Sequence, residues 1–175
     1  MVRTAALAGL ATLLLSGCAA EADSAPLAGP PAPALELTGR VVDAADVLSP
    51  EFEAGLASKL GNLEERTLVQ LVVATTPDLQ NREIDDYSLD LANAWGLGNA
   101  ERNDGLLLLV APNERKVRIE FGLGLEASVN DEEAGRIIRE DILPKFRSED
   151  FEGGINAGVD NLISEVTSFE LKEAA

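Results

Sequence analysis

Apolar positions along residues 40–166 change period several times, and each change marks an element. Phe52, Leu56, Leu60 and Leu63 fall on one helical face. Ser49-Pro50-Glu51 opens that helix with a hydroxyl N-cap, a proline in the first turn and an acid near the dipole. Arg40 to Leu48 reads as a short extended lead-in. Leu68 to Thr75 (LVQLVVAT) is a nearly unbroken apolar, β-branched run, as expected of a strand covered on both faces; Pro77 ends it. Ile84, Tyr87, Leu91 and Trp95 return to helical spacing until Gly96 and Gly98 stop it. Gly105 to Ala111 (GLLLLVA) predicts a second buried strand. After a Pro112-Asn113-Glu114 turn, Lys116 to Phe121 (KVRIEF) alternates, with Val117, Ile119 and Phe121 inward and Lys116, Arg118 and Glu120 outward. These two strands predict an antiparallel hairpin. Asn130 with Glu133 opens a third helix through Ile137 and Ile138, and Pro144 breaks or restarts it. Phe151, Ile155, Val159, Leu162 and Val166 predict the last helix. This order implies an α/β fold: a three-layer α/β/α sandwich with a mixed sheet ending in a β-hairpin.

The first residues follow a different rule. Arg3 precedes a short apolar run at residues 5–15, too short to span a bilayer as a mature helix. Leu15-Ser16-Gly17-Cys18 then resembles the bacterial lipoprotein box. That resemblance implies a signal peptide over residues 1–17, cleavage before Cys18, lipid on its sulfur and acylation, palmitate included, of its new amine. Several acyl chains give firm anchoring, since each buried CH₂ contributes about 0.8 kcal/mol. Ordinary secretion with an incidental cysteine is the alternative. Ala19 and Ala20 lack the Asp at the second mature position, which resembles outer-membrane sorting in a diderm envelope. Residues 18–37 carry Pro26, Pro30, Pro31 and Pro33 and read as an extended tether. The domain is expected over residues 38–170, with a tail at 171–175.

Composition narrows the chemistry. The chain of 175 residues holds 31 acids against 14 bases, a net charge of −17. Without residues 1–17, which contain Arg3 and no acid, 13 bases face 31 acids and the charge is −18. Such a surface repels nucleic acid and anionic membranes and attracts cations; solubility alone also accounts for it. The chain has no histidine, which excludes Ser-His-Asp and Cys-His catalysis and histidine-ligated zinc. Cys18 is the sole cysteine, so an intrachain disulfide is excluded. A metal here would be held by oxygen, which favours Ca²⁺, Mg²⁺ or Mn²⁺.

Four local patterns stand in one order: Val41-x-Asp43-x-Ala45-x-x-Leu48; Ala94-Trp95-Gly96-Leu97-Gly98; Asn103-Asp104-Gly105; and Arg118-x-Glu120-x-Gly122-x-Gly124-Leu125-Glu126. Gly135-Arg136-Ile137-Ile138 and Ile142-Leu143-Pro144 continue the series. The set resembles the TPM domain family over roughly residues 38–166. The resemblance implies a Rossmann-like α/β/α fold in bacterial envelopes and plastids. It also implies roles in photosystem II repair, acid phosphatase activity and divalent-ion binding in some members. Many bacterial members carry a C-terminal membrane helix or a Gly-rich tail. This sequence shows neither.

A hairpin brings Asp104, at the start of one strand, beside Glu120, near the end of its partner. The loop at 122–124 and Glu126 leave from the same edge. Asp104, Glu120 and Glu126 therefore form a candidate carboxylate cluster, which a divalent ion would relieve of its repulsion, with Asp43 a further candidate ligand. Each residue also has a plainer role. Asp104 shapes an Asn-Asp-Gly turn. Glu120 pairs with Arg118 or Lys116. Glu126 caps the loop or helix after it, and Asp43 forms a local turn. Trp95 is expected in the core, and Asp85 and Asp86 are expected to charge a helix start. Gly122-x-Gly124 lacks the GxGxxG spacing of a dinucleotide loop.

Two functions remain open, beside a lipid-linked structural protein with no site. One is a metal-dependent acid phosphatase, with Asp104 or Glu126 moving the proton and Arg118 or Arg136 clamping the phosphate. The other is a non-enzymatic, calcium-binding envelope module that assists assembly or repair of a membrane-protein complex.

Overall fold

The structure, a computed structural model, describes residues 35–173, with side chains described to residue 169. The leader, Cys18 and most of the tether lie outside the described residues.

An open sheet of four strands, in the order β1-β2-β3-β4, forms the middle layer. β1 (Val41–Asp43) pairs in parallel with β2 (Gln70–Thr75), and β2 pairs in parallel with β3 (Gly105–Ala111). β4 (Lys116–Phe121) closes the sheet antiparallel to β3, as the alternation predicts. The unbroken apolar runs of β2 and β3 follow from two covered faces. Leu71, Val73, Leu106, Leu108 and Val110 point into one core, whereas Val72, Ala74, Leu107, Leu109 and Ala111 point into the other. Each fully buried leucine among them contributes about 2 kcal/mol.

The outer layers are unequal. α1 (Pro50–Thr67), α3 (Asp131–Ile137), α4 (Leu143–Phe146) and α5 (Phe151–Glu173) belong with the first core. α2 (Ile84–Trp95) covers the second with Ile84, Tyr87 and Leu91. The predicted three-layer sandwich with a mixed sheet is therefore present.

Helix starts follow the sequence closely. Ser49 Oγ accepts from Phe52 N at 3.3 Å, and Asn130 Oδ1 accepts from Glu133 N at 3.0 Å. Two expectations are corrected. The lead-in contains a true strand, β1, which joins the sheet. Leu68 is not the first strand residue: it caps α1 in the left-handed region (φ 63°), its N–H donating to Glu64 O, and stands 61% exposed. Pro144 restarts the helix, as expected, in the first turn of α4. A wide turn of π type at Ile138–Ile142 absorbs the proline, which has no N–H and crowds the preceding turn. α5 runs to Glu173.

Candidate functional site

The glycine motifs meet at one end of the sheet, where β2 and β3 begin and β4 ends. Gly96 caps α2 in the left-handed region (φ 60°), and Gly98 (φ 84°) lies backbone to backbone on Gly105. A methyl on Gly98 or Gly105 would collide with the other strand of chain, and one on Gly124 would collide with Arg102 O. Hydrogen bonds lock the same contacts: Gly98 N donates to Gln70 Oε1 at 2.7 Å and Gly124 N to Asn103 O at 2.9 Å. The motifs thus hold three loops against each other.

Asp104 sits inside this knot, 5% exposed. Its Oδ1 accepts from Asn99 N at 2.7 Å and its Oδ2 from Arg102 Nε at 2.5 Å. Both oxygens are committed, one to closing the 99–104 loop and one to a guanidinium. Asn99 and Arg102 are the partners that sequence reasoning missed. Their signal was proximity: Arg102 stands two residues before Asp104.

Glu120 lies opposite Leu107, next to the Leu106–Phe121 pair, so the hairpin does bring it to the Asp104 end. It faces α2 rather than open solvent. Its Oε2 accepts from Arg118 Nε at 3.3 Å and lies 3.2 Å from Ser88 Oγ, which also reaches Asp85 O at 3.0 Å. The outward row of β4 is corrected accordingly: Lys116 pairs with Glu83 at 2.8 Å, and Arg118 with Asp85 at 3.0 Å, across the polar flank of α2. The Lys116 ammonium, hydrogen-bonded to Glu83, holds that carboxyl below its ordinary range. Arg118 also faces Asp131 at 3.8 Å.

Glu126 is exposed, just past a 3₁₀ turn at Leu123–Leu125. Asp43 is elsewhere. It pairs in register with Thr75 at the other end of the sheet, level with Val110 and roughly 20 Å from Asp104 by strand rise. Its Oδ2 accepts from Leu48 N at 2.9 Å, and its Oδ1 accepts from the Thr75 hydroxyl. Grouping Asp43 with Asp104 is therefore corrected: parallel pairing sends the end of β1 away from the start of β3. Among the described residues, no three His, Cys, Asp or Glu side chains converge so as to hold a metal ion. Of the candidate carboxylates, Asp104 holds Arg102 and Glu120 holds Arg118.

Arg136 is likewise engaged. It binds Glu133, its Nε at 2.9 Å, and faces Glu140, Asp141 and Glu165 at 4.0, 3.6 and 3.8 Å. The hydrogen bond from Arg136 holds the Glu133 carboxyl below its ordinary range, against the opposing effect of burial, and Glu133 in turn raises the Arg136 guanidinium.

Trp95 packs in the second core, as expected, and its indole N–H donates to Leu35 O at 3.0 Å. The chain is thereby pinned at the glycine end as it enters the domain. No described helix is long and apolar enough to cross a membrane.

No curated protein sequence matches the chain. Solved structures do. The N-terminal domain of a P. gingivalis protein, determined by solution NMR, is 34% identical, with a TM-score of 0.70 over 75% of this chain and 83% of that one. The N-terminal domain of cg2496 from Corynebacterium glutamicum is 16% identical (TM-score 0.59; 75% and 82% covered). The BA42 protein of Bizionia argentinensis is 19% identical (TM-score 0.61; 70% and 83% covered). These last two share the fold. The family model described as the TPM domain matches residues 41–165, which include the glycine knot and both cores, and the chain belongs to that family.

Proposed function

We propose that this TPM-domain protein is a non-enzymatic module of the bacterial envelope, lipid-anchored through Cys18, that docks on a membrane-protein complex and assists its assembly or repair. One observation supports it above the others: both oxygens of Asp104 are bound by Asn99 N and Arg102. A carboxylate so held, buried and paired with a guanidinium, serves as a structural strut, and its charge is already balanced without a metal ion. Arg118 and Arg136, the candidate phosphate clamps, are each surrounded by carboxylates that compete with a phosphate for them.

The competing reading is a phosphatase using Ca²⁺, Mg²⁺ or Mn²⁺. Exposed Glu126 and the net charge of −17 favour cation attraction in general. The full chain in detergent, given p-nitrophenyl phosphate between pH 4 and 8 with each cation, decides between them. Turnover at the level of a protein-free blank is expected. Turnover that Asp104→Asn abolishes without lowering the melting temperature would establish the phosphatase. Labelled palmitate incorporated in the producing cell, and lost in Cys18→Ala, checks the anchor; incorporation that survives the substitution would remove it.

A further inference from the structure

In a chain with 31 acids and 14 bases, most bases have an acid to meet. Eight of the twelve lysines and arginines with described side chains do so in ion pairs, whereas Arg66, Arg115, Arg139 and Arg147 do not. Among the described residues neither Arg115 nor Arg147 makes a side-chain hydrogen bond either. Both line the same groove, of about 790 Å³, between the β3–β4 turn and the segment joining α4 to α5.

The floor of that groove is apolar: Leu143, Phe146 and Phe151 line it, the two rings 5.0 Å apart and tilted by 54°. Lys116 joins the rim but is committed to Glu83. Glu149 is the acid on the rim. The neighbouring acids are engaged elsewhere, Glu114 with Leu79 N at 2.9 Å and Asp150 with Gly153 N at 2.9 Å and Lys145 at 3.7 Å. A strongly acidic molecule thus presents one place where two free guanidinium groups flank an aromatic floor. Arg115 is fixed there by its turn, held at φ 56° with its N–H on Pro112 O at 3.2 Å.

We propose that this groove binds an acidic peptide segment of a partner protein, one aromatic or aliphatic side chain resting on Phe146 and Phe151 and flanking carboxylates reaching Arg115 and Arg147. Planar guanidinium groups suit carboxylates bidentately. Acids dominate the rest of the surface, which disfavours an acidic peptide away from the groove. The groove opens at the end of the sheet where β3 finishes, whereas Leu35, through which the tether enters, is pinned by Trp95 at the opposite end. The inference deepens the docking function above by naming the chemistry of the partner.

The test uses the full chain in neutral detergent and a fluorescein-labelled pentapeptide, Asp-Glu-Phe-Glu-Asp, followed by anisotropy. Saturable binding is expected in the range of about 10–100 μM, the strength of a weak peptide contact. Arg115→Glu and Arg147→Glu should each weaken it at least about tenfold with no change in melting temperature, because both side chains are exposed. Replacing the peptide's Phe by Gly should weaken it similarly, and a Lys-Arg-Phe-Arg-Lys peptide should show no dependence on either arginine. No saturation at millimolar peptide, or equal affinity in the two variants, overturns the proposal. So does capture of phosphatidylglycerol vesicles by the unaltered chain that both variants lose, which would assign the groove to a lipid surface. A failed peptide together with blank-level ester hydrolysis removes the groove alone and leaves the docking module. Hydrolysis by a chain that binds the peptide does the reverse.

Discussion

Asp104 is the residue on which the functional reading turns. The sequence shows an acid in an Asn-Asp-Gly turn beside a hairpin partner, and that placement is correct. Its partners are hidden there because nothing in the one-dimensional pattern tells whether Arg102 folds back onto it. The committed oxygens make a measurable statement. Asp104→Ala leaves Asn99 N and the Arg102 guanidinium without their acceptor in a site only 5% exposed, at a cost of about 2–3 kcal/mol. Asp104→Asn keeps an acceptor for Asn99 N and should cost about half as much. Urea denaturation of both variants checks the order; equal, negligible changes would mean that the carboxylate is idle in the fold. Asp43 is a parallel case. Its sequence setting suits a ligand or a turn, and it serves the turn, accepting from Leu48 N at the far end of the sheet.

At the scale of elements, the glycine motifs and the acidic α3 region give separate tests. Gly98 combines a left-handed backbone (φ 84°) with contact against Gly105, so Gly98→Ala suffers both strain and collision. A loss of about 3 kcal/mol or more is expected by thermal or urea unfolding, against a gain of up to about 1 kcal/mol for Gly55→Ala inside α1, where nothing crowds the added methyl. Near α3, Arg136 faces four carboxylates. Arg136→Met leaves them to repel one another, with a cost at neutral pH of about 1 kcal/mol after solvent screening. The folded pKa of Glu133 lies below its ordinary 4.5, so this pair's contribution is fully present above about pH 4.5 and fades as pH falls through the lower folded value. Melting curves of the two proteins from pH 7 downward should therefore converge below about pH 4.5. A constant gap would show that packing, not charge, holds Arg136. The helices and the hairpin are legible in the sequence because their periods are strong. β1 is not, since three residues give no period, and Leu68 misleads because an apolar side chain in a left-handed cap looks like the start of a strand.

The whole molecule carries a charge of −17, and that number misleads about chemistry in two directions. It suggests a cation site, yet Asp104, Glu120 and Asp43 are engaged by arginines or by backbone N–H groups, and Asp43 lies at the opposite end from the other candidates. It also conceals the one groove where the sign reverses, because Arg115 and Arg147 are 32 residues apart in sequence and only the fold brings them to one rim. A folded acid-rich domain should be stabilised by ordinary salt, which screens its self-repulsion. Raising NaCl from about 20 to about 300 mM should lift the melting temperature by a few degrees. A fall would mean that individual ion pairs outweigh the net charge.

That background effect sets the control for the most direct test of whether these carboxylates hold the fold or hold a metal. The full chain in detergent is stripped with chelator and titrated calorimetrically with Ca²⁺, Mg²⁺ and Mn²⁺, beside thermal melts in NaCl of matched ionic strength. If the carboxylates hold the fold, millimolar cation gives no saturable heat and no rise in melting temperature beyond that of the matched salt. Saturable binding with an added rise, lost in Asp104→Asn or Glu126→Gln, would contradict that role and restore the metal site.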